Sequence, residues 1–368
     1  MHRFPTSVAG PFPCGAGPAL NESIRPGPPV SLRPLESAAA ASHWCPAAVR
    51  KAHELGALSR LLLGIPVTET RFDRRGFQGG DARSRLRLES IGAAFLDGHH
   101  AALEEPGVTQ LARALESVGS ELRGFAYEGA AMGLTLLDAV TPWRRDRWAE
   151  FLAGPGEPHT YMLYVGAGWA RARLPGDPNR VLERYDPLLR WLVIDGWGFH
   201  DGYFHWRRTL DDRQVPARLQ GYARRAYDQG LGRALWFVNG AEVDRVAAKI
   251  AAFEPDRHGD LWSGIGLAAA YAGEPSDAAL AAVREHSGEY HAWIAQGAAF
   301  AGQARRRAGN LAPHTERACR ALCGLSAIAA ADTTHEALRG VGDDGSAPAY
   351  EVWRRRVRER FQQEAIAV

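Results

Sequence analysis

The stretch Phe199-His200-Asp201-Gly202-Tyr203-Phe204-His205-Trp206 sets a polar residue directly before a glycine, among aromatic side chains. A glycine in a comparable setting recurs at intervals of 27 to 37 residues, as Gly92, Gly129, Gly166, Gly202, Gly230, Gly264, Gly297 and Gly324. A period of about 33 residues is typical of tandem helical hairpins, which bury their apolar faces by stacking. The sequence therefore predicts an all-α fold of stacked helical hairpins, α-solenoid-like or α/α-layered, with at most a few short peripheral strands.

The two ends of the chain differ in composition from its centre. Residues 1–45 are rich in Pro, Gly, Ala and Ser, so they are expected to form a disordered N-terminal extension. Residues 46–368 are expected to form a single helical-repeat domain, beginning with a helix over 46–64 and an extended segment from Ile65 to Phe72. Near the C-terminus, Trp353, Val357 and Phe361 share one face of a predicted capping helix whose arginines should face solvent.

Composition excludes several classes of protein. The sequence has 44 Lys and Arg against 42 Asp and Glu, a net charge of +2, which predicts no nucleic-acid partner. It lacks an apolar run of about 18 residues or more, so no membrane span is expected. Four cysteines without disulfide or zinc-site spacing predict reduced thiols in a cytoplasmic protein, with Cys319 and Cys323 packed in a helix.

Polar side chains precede several of the repeated glycines, inside otherwise apolar helices. Glu128, Asp201, Gln229 and Gln296 occupy this position, and they would point into a shared groove if their helices form an inner layer. Alternatively, each bonds to a neighbouring helix, because buried polar groups need partners. The aromatic residues around them could line a pocket or fill a core. As substrate-binding candidates we take Tyr127, Tyr203, Trp206, Gln229, Trp236, Trp262 and Gln296.

Acid-base residues are the candidates for chemistry. Glu128 and Asp201 are expected to line one internal cavity with Tyr203 and His200 nearby, and His200 or His205 could exchange a proton with either carboxylate. Residues five apart on a helix diverge by about 140°, so the spacing of His200 and His205 argues against a metal site. The sequence has no dinucleotide, P-loop, nucleophile-elbow or His-Glu-x-x-His motif, so neither a metal nor a cofactor is predicted.

Four blocks of sequence resemble the UnbL-type enediyne biosynthesis family, catalogued mainly as a domain of unknown function in actinobacterial gene clusters. The blocks are Arg123–Met132, Asp195–Trp206, Tyr227–Phe237 and Asp260–Gly273, and the resemblance extends over about residues 55–357. It implies an accessory protein in antibiotic biosynthesis, acting where a linear polyene made by a polyketide synthase is converted to the enediyne core. It implies no particular catalytic residues.

Two functions therefore compete. One is a polyene- or polyketide-modifying enzyme, which holds an apolar intermediate against Tyr203, Trp206 and Trp236 while Glu128, Asp201 and His200 move protons. The other is a non-catalytic scaffold that binds another protein of the enediyne cluster or sequesters a reactive intermediate. A closed cavity with convergent polar groups would favour the enzyme, and an open concave surface would favour the scaffold.

Overall fold

The computed structural model describes residues 56–104, 107–141, 143–144, 146–273, 275–342 and 345–366, without the side chains of residues 179 and 364–366. All of them belong to one compact unit. The predicted extension over residues 1–45 lies outside the described residues, so the division into an extension and one domain stays a prediction.

The described residues are helical and contain no strand, which confirms the predicted all-α fold. Residues 56–63 form a helix, Val67–Thr70, Glu157–His159 and Gly288–Tyr290 are single 3-10 turns, and Arg207–Asp211 is a π-helical turn. The remaining helices are α1 (Phe72–Arg75), α2 (Ala82–Glu104), α3 (Val108–Glu116), α4 (Ser120–Val140), α5 (Arg147–Ala153), α6 (Thr160–Arg173), α7 (Pro178–Leu182), α8 (Trp191–Phe204), α9 (Tyr222–Val238), α10 (Val243–Ala251), α11 (Pro255–Ala272), α12 (Asp277–Ser287), α13 (His291–Arg307), α14 (Pro313–Cys323), α15 (Ala327–Leu338) and α16 (Ala349–Ile366).

The predicted extended segment from Ile65 to Phe72 is wrong. The chain forms a 3-10 turn at Val67–Thr70 and enters α1 at Phe72. Phe72 and Ile65 are buried, and the backbone N–H of Phe72 donates to Glu89 of α2 at 2.9 Å. Packing against α2 therefore overrides the β-branched composition, which is a weak local preference.

The helices form two layers. Helices α2, α4, α6, α8, α9, α11 and α13 pack side by side in chain order as an inner layer. Helices α3, α5, α10, α12 and α14 form a second layer, in which α3 contacts α5, and α10, α12 and α14 contact one another in succession. A second-layer helix buries one stripe, as Val243, Val246 and Ile250 do in α10, whereas inner helices are buried nearly all round. This difference in burial is the amphipathic pattern expected for an outer layer.

Glycines set the close approach of the inner helices. A Cβ built on Gly230 would lie only 2.0 Å from the carbonyl oxygen of Asp195, and one on Gly264 would lie 2.1 Å from that of Gln229. The same contact with the preceding inner helix recurs at Gly129, Gly166, Gly196, Gly230, Gly264 and Gly297, which we call the glycine column. Its members are 30 to 37 residues apart, so the repeat is real and close packing is the reason for the glycines.

Three predicted members of the repeat are not in the glycine column. A Cβ on Gly92 would contact Thr70, Gly202 faces the Cβ of Ala234, and Gly324 ends α14 in a left-handed conformation with φ 72°. In α8 the column glycine is Gly196, because its neighbour in space is the Val165 carbonyl. Helix α8 has several glycines, and sequence spacing alone does not tell which one docks.

The C-terminal helix closes the inner layer on one side. Helix α16 packs against α13 and α15, and its Glu351 accepts a hydrogen bond at 2.9 Å from Tyr222 of α9. The apolar face predicted for it is confirmed, because Trp353, Val357 and Phe361 are buried. The prediction that its arginines face solvent is wrong for Arg354, which is fully buried among acidic partners, and for Arg358, which is buried and pairs with Glu351.

Candidate functional site

The residue before each column glycine points to the interior of the inner layer. Because the glycine contact fixes the rotation of each helix, the preceding side chains fall at one register. They are Glu128, Val165, Asp195, Gln229, Ser263 and Gln296, and all are buried. The sequence predicted this position for Glu128, Gln229 and Gln296, but named Asp201 where the structure has Asp195.

Four of these side chains form a buried hydrogen-bonded series across neighbouring helices, which we call the polar series. Gln229 Nε2 donates to Asp195 Oδ2 at 2.7 Å. Ser263 Oγ lies 3.3 Å from Gln229 Oε1 and 3.1 Å from Gln296 Oε1. Gln229 and Gln296 therefore bond to neighbouring helices, which was the alternative to a shared open groove.

Two buried arginines extend the polar series at its ends. Arg233 lies 2.8 Å from Asp195 and 3.4 Å from Glu128. At the other end, Arg354 Nε donates to Gln296 Oε1 at 3.1 Å. Sequence reasoning missed both arginines, although Arg233 follows Gln229 by four residues within an apolar helix, which is the spacing of a shared face.

Glu128 has one free carboxylate oxygen. Its Oε1 accepts a hydrogen bond from Trp169 Nε1 at 2.8 Å, whereas the buried Oε2 has no partner among the described residues. Burial raises the pKa of this carboxyl to about 7, although the nearby Arg233 and the Trp169 bond act in the opposite direction. Glu128 can therefore exchange a proton near neutral pH, the property that an acid-base residue needs.

Glu128 lines an aromatic cavity of about 40 Å³, which we call the Glu128 cavity. Its other lining residues include Ile65, Phe95, Phe125, Trp169, Phe199 and Tyr203. The volume holds roughly three water molecules, so a larger ligand enters only if a covering element moves. The lining therefore includes one ionisable carboxyl among apolar side chains.

The 3-10 turn Val67–Thr70 covers this cavity, with Glu69 and Thr70 among the lining residues. Arg75 pairs with the Glu69 carboxylate at 2.7 Å and donates to the Tyr203 carbonyl at 2.8 Å. Tyr203 Oη donates to the Glu69 carbonyl at 3.2 Å. These bonds, together with the packing of Thr70 against Gly92 of α2, hold the cover over the cavity.

A second cavity of about 40 Å³ lies at Arg233. Tyr271 and Tyr350 contribute to its lining, and the buried Tyr271 hydroxyl has no partner among the described residues. Because Arg233 also contacts Glu128, the ion pair stands between the two cavities. The interior thus offers two small, mainly apolar spaces joined by one charged pair.

Asp201 does not line the Glu128 cavity, so the expectation that it shares this space with Glu128 is wrong. Its Oδ2 accepts from Trp197 Nε1 at 3.1 Å and from the Tyr227 hydroxyl at 2.9 Å. Its Oδ1 lies 3.0 Å from Nδ1 of His200, whose pKa is lowered by burial. Asp201 lies elsewhere because it is almost two helical turns beyond Asp195, which is the residue at the polar position in α8.

The expectation that His200 and His205 diverge is also wrong. Helix α8 ends at Phe204, and His205 has φ −123° and ψ 32°, so helical spacing does not apply to it. One ring nitrogen of each histidine and one oxygen of Asp201 lie within 4.8 Å of one another. His200 and Asp201 are buried, whereas His205 is exposed.

The predicted binding residues are thus divided. Tyr203 lines the Glu128 cavity, and Gln229 and Gln296 belong to the polar series. Four aromatic residues line neither cavity: Tyr127, Trp206, Trp236 and Trp262. Tyr127 donates to Glu116 and stacks on His159, Trp206 donates to the Arg75 carbonyl, and Trp236 is completely buried. These four serve the packed core.

The fold and site define an all-α, two-layered repeat protein with a buried polar series and a titratable carboxyl in an apolar interior. The chain belongs to the family described as Protein of unknown function (DUF1702), whose model it matches over residues 54–361. No curated protein and no solved structure matches it. Among the helices of the described residues, none combines the length and apolar character needed to cross a bilayer.

Proposed function

We propose that this protein is an accessory biosynthetic protein that binds an apolar, unsaturated intermediate in its interior and moves a proton on it through Glu128. One observation carries the proposal: Glu128, a buried carboxyl with one oxygen that has no partner among the described residues, lines an aromatic cavity. Burying a carboxylate oxygen without a hydrogen-bond partner costs free energy, which a purely structural role does not explain, and a pKa near 7 suits proton transfer.

The intermediate is a polyene or polyketide on the way to an enediyne core, as the resemblance of the four sequence blocks implies. The aromatic lining supports this assignment, because Trp169, Phe199 and Tyr203 present ring surfaces to a conjugated chain. Entry of the chain requires displacement of the Val67–Thr70 cover. The enzymatic role uses Glu128 as the acid-base group, with Arg233 stabilising its ionised form.

A second candidate function is that of a scaffold for another enzyme of the same pathway. The observation in its favour is an apolar surface on the helix of residues 56–63. There Leu58 is 50% exposed, Leu61 81% and Leu62 69%. Where α16 packs against α13 and bonds to α9 and α11, the inner layer is covered and offers this role no open concave face.

One complementation experiment separates these functions. The gene is deleted in the producing organism, and the strain is complemented with the wild type, Glu128→Gln, Leu61→Glu or the control Glu183→Gln at an exposed glutamate. Glutamine keeps the shape of the protonated carboxyl, and Leu61 is exposed, so both variants should fold, as circular dichroism would verify. The acid-base role predicts loss of product with Glu128→Gln alone and accumulation of an unsaturated precursor.

The other outcomes are equally informative. Loss of product with Leu61→Glu alone would support the scaffold and reject the enzyme. Normal product from both variants would reject both roles. Unchanged enediyne or polyketide metabolites in the deletion strain itself would reject the assignment to that pathway.

A further inference from the structure

Three metal-ligating side chains meet where α8 ends, at His200, Asp201 and His205. One nitrogen from each imidazole and one carboxylate oxygen lie within 4.8 Å of one another. We propose that these residues form a binding site for a divalent first-row transition-metal ion, such as Zn²⁺ or Fe²⁺. This inference is independent of the role proposed for Glu128.

The distances fit such an ion after a small movement of one side chain. Nitrogen and oxygen ligands lie about 2.0 to 2.2 Å from the metal, so neighbouring ligand atoms are roughly 3 to 3.5 Å apart. His200 Nδ1 and Asp201 Oδ1 are already 3.0 Å apart. His205 is exposed, and its ring can therefore rotate toward the other two without disturbing packed neighbours.

Hydrogen bonds around the site orient its carboxylate and its backbone. Asp201 Oδ2 accepts from Trp197 Nε1 and from the Tyr227 hydroxyl, which leaves Oδ1 directed toward His200. Thr209 Oγ1 lies 3.3 Å from the Asp201 carbonyl and 3.2 Å from the His205 carbonyl. Such outer contacts fix metal ligands in place and typically raise metal affinity by about 10- to 100-fold.

The donor set indicates the class of ion. Two imidazoles with one carboxylate suit zinc, iron, cobalt or nickel, whereas calcium and magnesium prefer sites made of oxygen atoms. Three protein ligands leave coordination positions open, and the exposure of His205 places them on the solvent side. The Trp169 ring, which bonds to Glu128, lies 5.7 Å from the His200 ring, so the site adjoins the Glu128 cavity.

Cobalt titration of the full chain, prepared without a histidine tag and stripped with a chelator, tests the proposal. Co²⁺ bound by imidazole and carboxylate ligands gives visible absorption, and we expect saturation at one equivalent with competition by Zn²⁺. His205→Ala should weaken binding about 10-fold or more, and Tyr227→Phe about 10-fold by releasing the carboxylate. The matched control is His286→Ala, which removes an exposed histidine paired with Asp244 and should leave affinity unchanged.

Each contrary result would overturn the proposal. Absence of saturable binding at one equivalent would show that His200 and Asp201 form only a buried hydrogen-bonded pair. Equal affinities of His205→Ala and His286→Ala would place any bound cobalt elsewhere on the chain. His205 is exposed, so retained helicity and melting temperature are expected for its variant and make a loss of binding interpretable.

Discussion

Gly297 and Gly302 lie five residues apart in α13 and offer a matched test of the glycine column. A Cβ on Gly297 would lie 2.0 Å from the Ser263 carbonyl oxygen of α11. A Cβ on Gly302 would lie 3.1 Å from the Ala327 carbonyl oxygen and 3.4 Å from Cys319 Sγ. Both substitutions to alanine gain about 1 kcal/mol of helix propensity, so the difference between them isolates the steric contact.

The expected magnitude follows from the overlap. Ordinary van der Waals contact begins at 3.4 Å, so Gly297→Ala requires α11 and α13 to separate by about 1.4 Å at Ser263. Overpacking usually costs about 1 to 3 kcal/mol, and a backbone carbonyl cannot rotate away as a side chain can. Because the clash is with a backbone carbonyl, we take the upper end of this range, and after the propensity gain of about 1 kcal/mol we expect Gly297→Ala to lower the free energy of unfolding by about 2 kcal/mol. Gly302→Ala should change it by less than about 1 kcal/mol.

Urea unfolding followed by circular dichroism measures both variants against the wild type. Equal stability of Gly297→Ala and Gly302→Ala would refute the argument that close helix contact selects the column glycines. The comparison also requires that both variants keep the wild-type slope of the free energy of unfolding against urea concentration. A changed slope would indicate altered compactness instead of altered packing.

Two further predictions concern buried charge. The pKa of Glu128 rises from 4.5 to about 7 on folding, so the folded chain holds this proton more tightly than the unfolded chain does. The free energy of unfolding of the wild type should therefore fall relative to that of Glu128→Gln as pH rises from 4.5 through 7. The total decrease should be about 3 kcal/mol. Unfolding curves at several pH values measure this difference, and a constant difference would contradict the raised pKa. Arg354→Ala should lower the free energy of unfolding by about 3 to 5 kcal/mol, because Arg354 is fully buried and lies 2.8 Å from Asp260. Arg360 is exposed, so Arg360→Ala should lower it by less than about 0.5 kcal/mol. Similar melting temperatures for the two arginine variants would show that the ion pair contributes little.

The sequence by itself determined the class of fold and most of the polar residues that precede the column glycines. The recurrence of glycines at hairpin spacing predicts stacked helices, because each hairpin must bury an apolar face against its neighbours. The residue before the repeated glycine correctly identified the polar position in three helices, at Glu128, Gln229 and Gln296. The apolar face of α16 and the buried cysteines Cys319 and Cys323 were also predicted correctly.

Only the tertiary structure decided which residues meet. The choice of Asp195 over Asp201 depends on which α8 glycine docks on Val165, a contact between residues far apart in the sequence. The burial of Arg354 depends on acidic residues from other helices, such as Asp260 of α11. The approach of His205 to His200 depends on the end of α8 at Phe204. Local sequence sets the period of a helix, whereas its rotation, its end and its ionic partners are set by packing against distant segments.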